Sequence, residues 1–193
     1  MKTRLIALAA LALVATLAQA QDTGSWLVRG RLLNLDPANK GTDLALSINN
    51  KVFPEVDISY FFSPNLAAEL VLTYPQKQDV RSAGANIGTL KHLPPTLSLQ
   101  YHFTGMSFRP YVGLGLNYTI FSSVNLPAGV TIDKNSTGIA YGAGADVPMG
   151  GGWLFNIDVK QVQIGTNVYV GGVDHGKFKV DPVLFSIGVG KRF

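Results

Sequence analysis

Between Phe185 and Phe193, apolar side chains fall at 185, 187, 189 and 193, and small residues fall at 186, 188 and 190. A period of two is the signature of a strand, whose successive side chains point to opposite faces. A strand with an apolar face and a small-residue face suits a wall between lipid and a crowded lumen better than a soluble sheet. The same alternation recurs in eight segments, near 26–35, 53–62, 66–74, 96–103, 108–121, 137–147, 153–164 and 178–193. After residue 20 the chain has no uninterrupted apolar run of the ~20 residues that a membrane helix needs. A backbone in lipid must satisfy its own hydrogen bonds, so only helices and closed barrels cross a bilayer. Alternation without a helix therefore predicts an all-β fold, an eight-stranded antiparallel transmembrane β-barrel.

The amino-terminal segment has a different character. Lys2 and Arg4 precede an apolar stretch from Leu5 to Leu17, and Ala18-Gln19-Ala20 follows. Basic flank, short apolar core and small-x-small site read as a secretory signal peptide over residues 1–20. The barrel is then expected over 21–193, in the bacterial outer membrane. The formal net charge is +4, and Lys2 and Arg4 supply half of it. No basic run remains to suggest nucleic acid. The chain has no cysteine, which excludes disulfides, thiolate metal sites and a cysteine nucleophile.

Connections alternate in length. Those at 63–65, 104–107 and 148–152 are short. Those at 36–52, 75–95, 122–136 and 165–177 are long and are expected as loops. Barrels of this membrane have short periplasmic turns and long outer loops, so both termini are expected on the periplasmic side. The terminal Phe193 resembles the signal that the barrel-assembly machinery reads, although Lys191 departs from that pattern. A soluble lipocalin-like barrel is the competing fold, but it would place apolar residues inside and polar residues outside. Here the charges fall on the face opposite the aromatics.

The inward charges crowd toward the short turns. Arg29, Arg31 and Arg109 are expected to pair with Asp57, Glu69 and Asp158 as a polar plug. An eight-stranded interior is only wide enough for side chains to fill it, and an unpaired buried charge costs several kcal/mol. Toward the outer end the inward positions are Leu33, Leu35, Phe53, Val71, Thr73, Phe121, Val162 and Ile164, which would line an apolar funnel. Pro54, Pro75, Pro94 and Pro95 interrupt neighbouring strands at that height. Proline removes a ladder donor, so this wall is the expected rim of a lateral exit into lipid. Gly113-Leu-Gly115, Gly142-Ala-Gly144 and Gly188-Val-Gly190 lack the complete dinucleotide fingerprint and its helix. His92, His102 and His175 lack metal-ligand spacing and have no serine partner evident in sequence. No cofactor, metal or catalytic centre is expected.

Four stretches carry a family resemblance: Phe53-Pro-Glu-Val-Asp-Ile-Ser-Tyr-Phe-Phe62, Ile87-Gly-Thr-Leu-Lys-His-Leu-Pro-Pro-Thr-Leu97, Gln100-Tyr-His-Phe103 and Arg109-Pro-Tyr-Val-Gly-Leu-Gly-Leu-Asn-Tyr118. With the Trp26-Leu-Val-Arg-Gly-Arg31 opening and Asp181-Pro182 before the last strand, they resemble the OmpW family of small outer-membrane proteins. The resemblance implies a narrow hydrophobic channel. It also implies small hydrophobic molecules as solutes, with outer-membrane lipid as surroundings. A non-transporting structural or receptor barrel, working through its outer loops, is the alternative.

Overall fold

The computed structural model describes residues 25–193; the expected signal peptide lies outside them. The strands are β1 Trp26–Asp36, β2 Leu46–Ile48, β3 Lys51–Phe61, β4 Leu66–Leu72, β5 Gln76–Ser82, β6 Ala85–Leu93, β7 Thr96–His102, β8 Arg109–Asn125, β9 Val130–Ile132, β10 Asn135–Gly150, β11 Trp153–Val162, β12 Gly165–Val170, β13 Val173–Lys179 and β14 Val183–Arg192. Eight of these close a barrel, each antiparallel to its neighbours, in the order β1, β3, β4, β7, β8, β10, β11, β14 and back to β1.

Each barrel strand alternates buried and exposed residues, as β1 and β11 do without a break over most of their length. The exposed face is apolar. Leu114 and Leu116 are 62% and 65% exposed, an arrangement that water would penalise and a bilayer favours. Aromatic pairs band this face, Trp26 on Tyr60 at 4.8 Å and Tyr101 on Phe103 at 5.2 Å between ring centroids. The ladder closes at the ends of the chain, where Trp26 and Phe193 exchange both backbone hydrogen bonds. Phe193 itself is exposed, and the Lys191 ammonium lies 5.5 Å from its ring centroid and 5.3 Å from that of Trp153.

The long connections depart from the expectation of loops. β5 and β6 form a hairpin that joins β8 above its pairing with β7, and β2 adds to the free edge of β5. β9, β12 and β13 make a second, three-stranded sheet. The barrel is thus prolonged beyond the membrane by strands. The last strand also begins later than residue 178. Phe178 and Lys179 belong to β13, and the chain breaks at Asp181, whose φ is +33°, and at Pro182. The break is held by structure: the Asp181 carboxylate accepts from the Ile164 amide, and Val162 donates to the Pro182 carbonyl.

Short turns at one end and strand extensions at the other predict a sidedness that labelling reads directly. A cysteine at the exposed positions Ala85 or Asp174 should react with a membrane-impermeant maleimide on intact cells, and one at Thr104 should react only after lysis. The reverse pattern would invert the barrel.

A closed polar floor beneath an apolar cavity

β1 places Arg29 and Arg31 two residues apart, so both guanidinium groups enter the lumen from one strand. Its ladder with β3 sets Asp57 opposite Arg29 and Glu55 opposite Arg31. On the other side stand Gly190 and Gly188. A Cβ on Gly188 would strike the Gly30 carbonyl and come within 2.7 Å of the Arg31 side chain. The glycine spacing of the last strand therefore makes room for the arginine stems rather than for a phosphate.

The charges form one network. Arg29 donates to Asp57 at 2.8 Å and to Asp146 at 2.7 Å. Arg31 reaches Glu55 at 2.7 Å, Asp57 at 3.0 Å and Glu69 at 3.5 Å, with Asp158 at 3.9 Å. Lys160 holds the other oxygen of Glu69 at 2.9 Å. Tyr111 donates to Asp158 at 2.9 Å, and Asn156 donates to Tyr111 and to Asp146. The arginine side chains and those of Asp57 and Glu69 are wholly buried. His102 lies between the rings of Phe61 and Tyr111 at 4.8 and 4.9 Å. Beneath this layer Leu27, Phe61, Ala67 and Leu154 pack as a small apolar cluster. Gly144 lets the Tyr111 ring lie against the wall, since any Cβ there would overlap its hydroxyl.

Of the six charged residues singled out from the sequence, Arg29, Arg31, Asp57, Glu69 and Asp158 meet in this network. Arg109 is buried at the turn end of β8, with Asp146 as its ladder partner. Sequence reasoning left Glu55, Asp146 and Lys160 out of the pairing, although each has the same inward parity. Their membership follows from how the strands are staggered, which alternation does not encode.

Above the floor lies a narrow apolar pocket. Seven of the eight proposed funnel residues line it: Leu33, Leu35, Phe53, Val71, Thr73, Val162 and Ile164. Phe121 does not; it belongs to the apolar cluster that continues outward from the pocket. Glu55, Lys160, Thr96 and Asn117 form the polar margin of the pocket. Farther out is a second, roomier apolar chamber, among Leu46, Val80, Leu90, Val130, Val168 and Phe178. It is built by the extramembrane strands and has no counterpart in the sequence-based expectation.

The prolines sit where the wall loses its ladder. Pairing of β3 with β4 stops at Val56 and Leu72, and pairing of β4 with β7 stops at Val71 and Thr96. Continuing the two registers by two residues sets Pro54 opposite Tyr74 and Pro94 opposite Thr73, with Pro75 and Pro95 adjoining. Pro54 still pairs with β1 through Leu32 and is exposed on the lipid face. Pro94 lines the inner pocket. From inside, the Asn117 amide donates to the carbonyls of Pro94 and Pro95 at 3.2 and 3.1 Å. Above the break, the Lys51 ammonium donates to the Lys77 carbonyl at 2.7 Å.

Comparison with known proteins places this architecture. The family model described as OmpW family matches residues 22–193. The chain belongs to the OmpW family. Outer membrane protein W of Escherichia coli is 31% identical, over all of this chain and 99% of that protein. The crystal structure of the outer membrane protein OprG from Pseudomonas aeruginosa superposes with a TM-score of 0.78 at 28% identity, covering 91% of this chain and 98% of that one. The dibenzothiophene metabolism operon protein PahQ of Pseudomonas aeruginosa is 27% identical, over 71% of this chain and 69% of that protein. An OmpW-family barrel of the outer membrane is therefore what the lipid-facing surface, the closed ladder and the inward charges describe.

Proposed function

We propose that this barrel takes up small hydrophobic molecules from outside and releases them sideways into the membrane. The observation that carries the reading is the stacking of an apolar pocket directly on a closed ionic floor, with Pro94 in the pocket wall. Moving an apolar solute through the floor would strip Arg29, Arg31, Asp57 and Glu69 of partners, and each buried charge so stripped costs several kcal/mol. Leaving through the wall breaks no ion pair. At the level of Pro54, Pro75, Pro94 and Pro95 the ladder is already interrupted, so little backbone hydrogen bonding is lost there. The dibenzothiophene link of the PahQ relative is in keeping with an aromatic or aliphatic solute, and the reading requires no chemistry on the solute. Phe193 is proposed as the contact for the barrel-assembly machinery.

Cells lacking the protein should take up a labelled hydrophobic solute at limiting concentration several-fold more slowly than cells carrying it. Equal uptake would favour a structural or receptor barrel acting through its outer strands.

A further inference from the structure

Between the two apolar cavities one stretch of wall is polar and incompletely bonded. Gln76 and Gln78 share the inward face of β5 with Val80, which lines the outer chamber. Both glutamines are wholly buried. Gln76 donates its amide to the Tyr74 carbonyl at 3.0 Å, and Gln78 places its amide 3.4 Å from His92 Nε2. The side-chain oxygens of both have no partner. Turning the Gln78 amide over would exchange one orphaned atom for another. Three residues before Gln76, the Thr73 hydroxyl is also unpartnered, and Thr73 lines the inner pocket. Burial and the nearby Lys51 ammonium hold the His92 imidazole down to about 4, so at neutral pH the ring is uncharged. The other polar groups of this wall are engaged: Thr119 donates to Asn117, and Asn117 donates to the Pro94 and Pro95 carbonyls and to Thr96.

Buried acceptors without donors are costly, and natural interiors rarely retain them unless something supplies the donor. Along the chain these orphaned atoms follow one line, Gln78, Gln76, Thr73, between Val80 of the outer chamber and the inner pocket beside the proline break. The lumen carries apolar residues at its other strands, Leu35, Phe53, Val162 and Phe178 among them.

We propose that this stripe is a recognition track for solutes with an apolar body and one hydrogen-bond donor, namely aliphatic alcohols or phenols, in preference to plain hydrocarbons. The proposal rests on the uptake reading above and specifies its substrate class. A hydroxyl passing between the cavities donates to Gln78, then to Gln76, and meets Thr73 in the inner pocket, while its chain stays against the apolar wall. A hydrocarbon takes the same path and leaves the acceptors bare.

The test compares uptake of labelled 1-octanol and octane, at limiting concentration, in cells with the wild type, with Gln76→Met/Gln78→Met, or with no barrel. Methionine keeps the length of glutamine and removes the orphaned oxygens, which offsets the loss of the Gln76 donor to the Tyr74 carbonyl; retained heat-modifiable mobility of the extracted barrel verifies folding. The expected result is that octanol uptake through the variant falls about fivefold or more, by the loss of one to two hydrogen bonds, while octane uptake is unchanged or faster. An equal change for both solutes, or no change for either, overturns the track. The single variants Gln76→Met and Gln78→Met should each give part of the effect, and a loss carried wholly by one of them contradicts the sequential contact. If the wild type carries octane but shows no preference for octanol, the track fails and the uptake reading stands. If it carries neither solute faster than cells without the barrel, both fail.

Discussion

Arg31→Met should destabilise the barrel by about 3–5 kcal/mol, the range for removing one partner of a buried charge cluster. Arg31 is the hub of the floor. Its guanidinium touches Glu55, Asp57 and Glu69 within 3.5 Å, and its side chain is wholly buried. With the arginine gone, three carboxylates face one another in a medium that solvates none of them. Arg29 still holds Asp57 and Lys160 still holds Glu69, so Glu55 is left most exposed to the loss. Adding Glu55→Gln should therefore recover part of the stability, and the two substitutions should be strongly non-additive. Urea unfolding in a fixed detergent, followed by the mobility shift of the folded barrel, measures both. Lys77→Met on the exposed face of β5 serves as the comparison and should stay within about 0.5 kcal/mol. A loss for Arg31→Met no larger than that of Lys77→Met would mean that the floor is held by packing alone.

Replacing Pro94 and Pro95 together by alanine should slow uptake of a hydrophobic solute about tenfold, the order expected when about 1.4 kcal/mol is added to a barrier. Two amide donors return to a stretch that has none. The amide of residue 94 faces the free edge at Thr73 and can carry the β4–β7 ladder past Val71 and Thr96, where it now ends, while that of residue 95 faces β8, where Tyr118 already donates to the carbonyl of this residue. Closing the proposed exit in this way leaves the floor untouched and alters the pocket only at residue 94, where the proline ring is trimmed to a methyl group. Folding should be unchanged, since Asn117 already fixes the carbonyls of this segment from inside. Uptake at the wild-type rate by a correctly inserted double variant would remove the exit from this wall.

The eight barrel strands were readable because each lies between two media. Lipid selects Leu114, Leu116 and Tyr118 on one face of β8, and the lumen selects Asn117 and Thr119 on the other, so the sequence alternates. The same contrast named the inward charges. It did not name their partners: Arg29 meets Asp146, 117 positions away, through a stagger of strands that no local pattern records. The outer strands were missed for a related reason. Outside the membrane the outer face of a strand meets water instead of lipid, and the inward face of β5 carries Gln76 and Gln78 beside Val80, so Gln-Lys-Gln-Asp-Val-Arg-Ser reads as a loop. With those strands went the outer chamber that they enclose. The start of the last strand was misplaced because Phe178 and Val180 keep the alternation going, while the turn at Asp181 depends on a carboxylate that caps the Ile164 amide.

An apolar solute should occupy the pocket above the floor and not pass through it. A photoreactive alkane added outside intact cells, activated, and mapped by mass spectrometry of the purified barrel tests this most directly. Leu33, Leu35, Val162 and Ile164 face away from lipid, being no more than 2% exposed, so label on them cannot come from solute dissolved in the bilayer. Label is expected on these residues and on Pro94, and none on Asp57, Asp146 or the turn at 104–107. Label confined to the lipid-facing side chains, or label carried through the floor to that turn, would contradict it.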